Sequence, residues 1–331
     1  MKLAVVGVTG LVGQTILKIL EENNFQVDEL IPIASEKSVG KTIIFNQKKY
    51  KVCDLKTAIN LNPNIAIFSA GKDVSLEWAP KFAKKGTYVI DNSSAWRMND
   101  NIKLIVPEVN ISILNPDDKI IANPNCSTIQ LVVVLWNLHL KYKLKRVIVS
   151  TYQSVSGSGF KGINQLECEA KNINPQINAY PHQIYLNCIP HGGNFLENDY
   201  TEEEMKLTNE SRKILNIPNL KLTGTVVRVP VKGGHSESVN IEFSKKPDIK
   251  KIKEILANTL GITIQDNPAN NEYPLAINAE GKNDIFVGRI RLDNSNEKAI
   301  NLWIVSDNLR KGAATNAVQI AEYICDNFII L

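Results

Sequence analysis

Hydrophobic residues in the first third of the chain come in short, nearly continuous runs: Lys2-Val6, Leu30-Ala34, Ile65-Ser69, Tyr88-Asp91, Leu104-Val106 and Ile120-Ala122. Helical patterns separate them, and that rhythm predicts a parallel sheet with crossover helices, a Rossmann-type α/β unit. Beyond Cys126 the texture changes. Ile129, Val132, Val133, Trp136 and Leu140 mark the buried face of a helix, and Arg146-Ser150, Leu222-Val231, Val239-Phe243, Asp284-Leu292 and Ala299-Ser306 read as strands. Asn294-Ser295-Asn296 fits a hairpin connection between the last two. The expectation is an α+β second domain on a mixed or antiparallel sheet. In Lys311 to Phe328, Ala314, Ala317, Val318, Ala321 and Ile324 recur at helical spacing, which by itself assigns that helix to neither domain.

Composition narrows the function classes. With 331 residues and 44% hydrophobic content the chain can bury two ordinary cores. Its 38 basic and 34 acidic residues leave a formal charge of +4 without a long basic block, so nucleic acid is not an expected partner and small anions are. Met1-Val6 carries no leader pattern. The stretch Ile129-Leu140, broken by Gln130, Asn137 and His139, is too short for a bilayer core of ~30 Å, so no membrane span is expected. The five cysteines lack metal or redox-pair spacing, which points to reduced thiols in the cytoplasm and to no metal site.

Gly7-Val8-Thr9-Gly10-Leu11-Val12-Gly13 follows the first strand and opens a helix. Glycines there let the backbone turn tightly and approach a pyrophosphate, whose charge the free amides of the helix start favour. The spacing is G-x-x-G-x-x-G, and its position after a strand is what makes it informative. After the second strand, Ser35-Glu36-Lys37-Ser38-Val39-Gly40-Lys41 offers hydroxyls and lysines to a ribose 2′-phosphate, an argument for NADP, although Glu36 stands among them.

Asn123-Pro124-Asn125-Cys126-Ser127-Thr128 puts Cys126 at a helix N-terminus, where dipole and amides favour the thiolate. Cys53, Cys168, Cys188 and Cys325 read as small buried residues. Of the four histidines, His139 lies about 20 Å down the same helix at ~1.5 Å per residue, and His182 has no supporting pattern. His191 is either functional or a turn cap. His235, in the glycine turn Gly233-Gly234-His235 between two strands, is the candidate acid/base. Arg228, inside the apolar run Val226-Val231, either faces solvent or binds an anion. Thr201-Glu202-Glu203-Glu204 opens a helix as a capping box, with Lys206 one turn beyond Glu203.

Together these blocks resemble the aspartate-semialdehyde dehydrogenases. The blocks are Gly7-Gly13, Phe68-Ser-Ala-Gly71, Asp91-Asn-Ser-Ser-Ala-Trp-Arg97, Asn123-Thr128, Gln153-Ser-Val-Ser-Gly-Ser-Gly159, Arg228-Val-Pro-Val231, His235-Ser-Glu237 and Lys311-Gly-Ala-Ala-Thr-Asn316, in the family's order. The resemblance implies Cys126 as nucleophile, His235 as acid/base and Gln153 as the amide that orients the acyl-enzyme. It implies Arg228 for the substrate carboxylate, Glu203 for its amino group, Arg97 and Lys206 for phosphate, and Asn125 beside the thiol. For NADP it implies Gly7, Thr9, Gly10, Leu11, Val12 and Gly13, then Ser35, Lys37 and Ser38, then Ser69, Ala70 and Gly71, with Ser156, Gly157 and Asn316.

It further implies a nucleotide domain of 1-126 plus 312-331 and a catalytic and dimerisation domain of 127-311, hence a homodimer. The activity implied is NADPH-dependent reduction of aspartyl phosphate through a Cys126 thioester. Two positions depart from the family's habit: Lys37 stands where arginine is usual, losing a planar fork, and Val226 where many members have cysteine. The neighbouring reading is N-acetyl-glutamyl-phosphate reductase, whose cysteine usually follows glycine where this chain has Asn125. A third is a nucleotide sensor without catalysis, which would have no use for Cys126, Gln153, Arg228 and His235 together.

Overall fold

The computed structural model describes residues 1–329; residues 330 and 331, the end of the segment expected in the nucleotide domain, lie outside the described residues. The chain divides into two compact units, Met1–Asn125 with Ala313–Leu331, and Cys126–Gly312.

In the first unit, β1 (Lys2–Val6) leads to α1 (Leu11–Glu22), β2 (Glu29–Ile33) and a hairpin of β3 (Thr42–Phe45) with β4 (Lys48–Lys51). Then come α2 (Leu55–Asn60), β5 (Ile65–Phe68), α3 (Lys72–Lys84), β6 (Tyr88–Asp91), β7 (Lys103–Leu104), α4 (Pro107–Asn110) and β8 (Ile120–Ala122). The main sheet has the order β2-β1-β5-β6-β8-β7 and every pairing in it is parallel. Strands buried on both faces need no polar alternation, which explains the continuous apolar runs. Leu3 and Val5 join one core with Ile16 and Leu20 of α1, and Ala4 and Val6 join another with Ala79 and Phe82 of α3. The C-terminal helix, Thr315–Phe328, adds Ala317, Val318, Ala321 and Ile324 to the first of these cores, so packing decides what periodicity left open.

Successive strands leave β1 in opposite directions, β2 to one side and β5 to the other, which opens a crevice at the carboxyl end of β1. Register keeps that edge level: Val6 pairs with Ile33 and Phe68, and Phe68 with Asp91. The expected strand at Leu104-Val106 is shorter, because Val106 turns its amide to the Asn110 side chain and Pro107 starts a helix. The β3–β4 hairpin had no sequence signal. Its turn residues Asn46 and Gln47 both adopt positive φ without the usual glycine, and β4 is Lys-Lys-Tyr-Lys.

The second unit begins with α5 (Cys126–Tyr142) and β9 (Leu144–Gln153), followed by α6 (Gly159–Ala170), α7 (Glu202–Leu215), β10 (Lys221–Arg228) and β11 (His235–Phe243). It continues through α8 (Ile249–Ala257), β12 (Ile262–Ile264), α9 (Ala276–Ala279), β13 (Ile285–Asp293) and β14 (Asn296–Ser306). Its sheet, β10-β9-β11-β14-β13-β12, is mixed: the outer pairs β10–β9 and β12–β13 are parallel and the inner pairings antiparallel. Asp293 pairs with Asn296 across the expected hairpin turn.

Helix α5 is buried from Ser127 through Leu135 and again at Leu138, a wider face than its apolar spacing implied; Trp136 is half-buried and Leu140 is 52% exposed. α7 starts with the capping box expected at Thr201: Thr201 Oγ1 accepts from Glu204 N, and Glu204 Oε2 accepts from Thr201 N at 2.7 Å. Glu204 Oε1 also accepts from Val226 N at 3.1 Å, tying the helix start to β10 two residues before Arg228. Thr201→Ala should therefore lower unfolding free energy by about 1 kcal/mol, read as a lower urea midpoint at unchanged slope. An unchanged midpoint would mean that Thr201 does not hold the helix start.

Candidate active site

In the first unit the level strand edge turns into loops. Gly7, at φ +85°, takes a conformation that other residues avoid, and a Cβ there would lie 2.3 Å from Ser69 O. Its amide and that of Val8 donate to Ile33 O, and Ser69 N donates to Val6 O, so the three loops leave the sheet together. α1 is opened by Gly10 and α3 by Gly71, neither with a side-chain cap, so backbone amides of two first turns face the crevice end of the sheet. A Cβ on Gly71 would meet nothing within 4 Å, which leaves room beside the amides. Uncapped amides with open space suit a pyrophosphate. Thr9, Leu11, Val12 and Gly13 belong to the same turn and helix start, and Ala70 precedes Gly71. Ser35 and Lys37 are exposed on the short turn after β2, whereas Ser38 is buried.

The same unit carries Arg97, Asn123 and Asn125, all buried. Arg97 Nε donates to Asn123 O at 2.9 Å and Nη2 to Asn92 O at 2.8 Å, so the guanidinium is braced by backbone at the strand ends. Asn316 Nδ2 donates to Asn123 Oδ1 at 2.7 Å and to Ile105 O at 2.9 Å. That donor group is engaged within the protein and holds Asn123 in place.

In the second unit the sheet's period of two brings the chemistry together. Gln153 is the last residue of β9, pairs with Arg228, the last of β10, and shares a strand edge with His235, the first of β11, which pairs with Ser306. Gln153, Arg228 and His235 are all buried. Gln153 Nε2 donates to Ser127 Oγ at 2.8 Å, so the first turn of α5, where Cys126 lies, sits over that edge. Gly312 lies close against it, since a Cβ there would be 2.9 Å from Cys126 Cβ.

His235 does not occupy the glycine turn where the sequence placed it. Gly233 and Gly234 make the turn, Gly234 at φ +78°, and the chain has entered the ladder by His235. The imidazole is fully buried; Nδ1 accepts from Ser154 N at 3.1 Å, and Nε2 has no partner among the described residues. Burial, and then the charge of Arg228, hold it well below its ordinary pKa, with the Gly234 backbone acting the other way. Arg228 faces the interior, not solvent. Its Nη1 donates to Ser154 O at 2.6 Å, its guanidinium lies 5.7 Å from the Tyr180 ring centroid, and its Nε has no partner among the described residues. A buried guanidinium so placed has the chemistry to receive an anion.

Glu203 and Lys206 form an ion pair on the first turns of α7 and are each largely buried. Gly192 packs on Glu203, where a Cβ would be 3.0 Å from its Cγ. Gly157 covers the inner edge: a Cβ there would lie 2.9 Å from Arg228 Nη1 and 3.3 Å from His235 Nε2. Ser156, beside it, is buried. Glu237, two residues along β11, is fully buried with neither carboxylate oxygen partnered. Burial pushes its pKa well above the usual range; the Gln130 carboxamide opposes this without reaching hydrogen-bond geometry.

Sequence reasoning missed Ser154, Asn308 and Asn123 as parts of these networks. Nothing in their spacing marks them, because they act through neighbours far away in sequence. The other histidines have local roles: His139 Nδ1 accepts from Leu144 N and stacks on Trp136, and His191 stacks on Phe195. Cys188 is exposed in a loop, contrary to its reading as a small buried residue; only partly buried are Cys53, Cys168 and Cys325. Among the described residues no cluster of acidic, histidine or cysteine side chains could hold a metal ion, and no helix is long and apolar enough to cross a membrane.

Residues 2–115 match the family model described as semialdehyde dehydrogenase, NAD binding domain, and residues 135–311 that described as semialdehyde dehydrogenase, dimerisation domain. The chain is 51% identical to the aspartate-semialdehyde dehydrogenase of Aquifex aeolicus, covering 99% of both chains, and 46% identical to that of Bacillus subtilis, covering 96% of both. Among solved structures it resembles aspartate semialdehyde dehydrogenase II from Vibrio cholerae in complex with ASA, with a TM-score of 0.95, 42% identity and 99% of each chain covered.

Two outcomes follow from this geometry. Gly157→Ala should fold, because its neighbour is the end of a side chain, but displace Arg228; kcat/KM should fall at least about 10-fold, the scale of a misplaced binding group. Wild-type kcat/KM in this variant would disprove the close approach. Glu237 binds its proton more tightly folded than unfolded, so its contribution to stability is full below the unfolded pKa and is lost as pH rises through the folded one. Glu237→Gln should thus gain in melting temperature over wild type as pH rises from about 4 to about 8, and a pH-independent difference would show that Glu237 is ionised in the fold.

Proposed function

The chain belongs to the aspartate-semialdehyde dehydrogenase family, and on that premise we propose that it reduces L-aspartyl 4-phosphate to L-aspartate 4-semialdehyde, releasing phosphate. This step belongs to the biosynthesis of the aspartate-derived amino acids, and its reverse is a phosphate-dependent aldehyde oxidation. The observation that carries the reading is the buried cluster of Gln153, Arg228 and His235 at the strand edge under the first turn of α5, which begins with Cys126.

Arg228 binds the substrate α-carboxylate through paired hydrogen bonds, and Glu203 binds its amino group. Lys206 and Arg97 receive the phosphate, and Asn125 stands beside the thiol. The Cys126 thiolate, favoured by the amides of α5, attacks the acyl carbon; the C–S bond forms, the C–O bond to phosphate breaks, and a thioester results. Gln153 orients its carbonyl. Gly7, Thr9, Gly10, Leu11, Val12 and Gly13, with Ser35, Lys37 and Ser38, Ser69, Ala70 and Gly71, and Ser156, Gly157 and Asn316, would hold NADP, which in its reduced form would supply hydride to the acyl carbon. His235 then serves the acyl oxygen while the C–S bond breaks and the thiolate departs as the aldehyde forms.

The amides left uncapped at Gly10 and the space beside Gly71 support the dinucleotide. We further propose a homodimer through the second unit, whose family model carries that description, and a cytoplasmic location, consistent with the lack of a disulfide among the described residues.

Nicotinamide absorbance should report NADP reduction with aspartate semialdehyde only when phosphate is present, and none with N-acetylglutamate semialdehyde. Preference for the acetylated aldehyde would transfer the chain to the neighbouring reductase activity. Cys126→Ser should lower kcat by on the order of 10³-fold or more; substantial residual turnover would count against the thioester.

A further inference from the structure

We propose that Glu204 and Gly192 fix the spacing between Glu203 and Arg228, and so make the site select a substrate that carries an ammonium and a carboxylate on one carbon. This deepens the reading above and rests on it for the groups that Glu203 and Arg228 receive.

The two receivers sit on different elements. Arg228 ends β10, and Glu203 lies on the first turn of α7. An α-amino acid holds its two charged groups at a fixed separation, so both receivers make full contact only when helix and strand are spaced to match. Two links across the edge of the sheet set that spacing.

The first link is the Glu204 side chain. Its Oε2 accepts from Thr201 N at 2.7 Å, at the start of α7, and its Oε1 from Val226 N at 3.1 Å, two residues before Arg228 on the edge strand. Glu204 and Thr201 are buried, so neither bond is readily exchanged for one to water. One carboxyl group thus spans helix start and strand.

The second link is main chain. Ile189 bridges Arg228, donating to its carbonyl at 2.9 Å and accepting from its amide at 2.8 Å. Gly192 O accepts from Glu203 N at 3.2 Å. Between them Pro190 fixes its own φ, and His191 N donates back to Ile189 O at 2.8 Å, so the segment acts as a short, stiff spacer. It runs from the backbone of one receiver to the backbone of the other. A Cβ on Gly192 would lie 2.8 Å from Val226 Cγ1 and 3.0 Å from Glu203 Cγ, so strand and helix close on this glycine with no room for a methyl group.

The rest of each element is anchored independently. The Arg228 guanidinium is held by Ser154 O, on the far side from α7. Farther along the helix Leu207 is fully buried, and Thr208 Oγ1 donates to Leu222 O at 3.3 Å. Cutting the Glu204 link therefore releases the first turn of α7 and leaves both the helix and the carboxylate receiver in place. Glu204 and Gly192 are positioning residues that act through Glu203.

The test compares aspartate semialdehyde with succinate semialdehyde, which has the same chain and carboxylate but no amino group, in the phosphate-dependent oxidation. Wild type should prefer the amino-bearing aldehyde in kcat/KM by on the order of 10²-fold or more. A carboxamide has one acceptor oxygen, so in Glu204→Gln its NH2 group faces either Thr201 N or Val226 N, and the link is cut at one end whichever way it turns. This variant should lose at least about 10-fold of the preference through a higher KM for aspartate semialdehyde, with kcat/KM for succinate semialdehyde unchanged. Thiol, phosphate and cofactor serve both aldehydes, so a merely structural loosening would lower both rates together and keep their ratio; that result would overturn the proposal. Gly192→Ala disturbs the same spacing from the other side and should lower the preference likewise; a wild-type ratio there would overturn the proposal even if Glu204→Gln did not fold. Added to Glu203→Gln, Glu204→Gln should cost nothing further, and additive losses would show that it acts elsewhere. A wild-type enzyme indifferent to the amino group would instead sink the reading of Glu203 on which the proposal rests.

Discussion

The second unit depends on the burial of one helix start. α5 is buried from Ser127 through Leu135 by its own sheet and by α7 and α8, with Ile129, Val132 and Val133 essentially inaccessible to water. Burying each such side chain contributes roughly 1.5–3 kcal/mol, so the helix cannot slide by a residue without losing several of them. That rigidity is inherited by the first turn, where Gln153 reaches Ser127. A nucleophile placed at such an end needs no loop ordering to meet its partners, because β9, β10 and β11 reach the same edge in register. A helix start also supplies amides for negative charge, which serves first the thiolate and then any oxyanion formed next to it.

The second constraint is charge in a dry place. His235 and Glu237 lie on one face of β11 and are both driven towards their neutral forms, and the Arg228 guanidinium shares the Gly157 edge with the imidazole. An uncompensated buried guanidinium is unfavourable, and the partners described for Arg228 are a carbonyl and an aromatic face. An anion that reached this guanidinium would satisfy it.

How far the sequence was legible differs between the units for a physical reason. In the first unit, burial on both faces imposes continuous apolar runs, and the glycine turn between β1 and α1 is local, so strands and phosphate loop could be read directly. What escaped was the hairpin Thr42–Phe45 with Lys48–Lys51, whose lysines hide its periodicity and whose turn lacks glycine. In the second unit Cys126 was legible from its helix start, and Thr201 from its capping box. Arg228 alone was ambiguous, since a charged residue in a strand has two faces to choose from; the resemblance decided it, and the fold turns it inward. The setting of His235 was misread because two glycines suggest a longer turn than the chain makes.

The residues that stayed invisible share a property. Ser154, Asn308 and Asn123 do no chemistry that their type announces, and each works on a residue more than seventy positions away. Their importance is set by tertiary register alone. Ser154 illustrates it: its amide, carbonyl and hydroxyl go respectively to His235, Arg228 and Asn308, so every polar atom of one small residue is used to hold two larger ones. A serine offers one more donor and acceptor than its backbone, and at the end of β9 all are needed. Substituting a residue of similar size without the hydroxyl would leave the sheet and the amide's bond to the ring intact and remove the link to Asn308, so this edge asks more of the residue than the fold does.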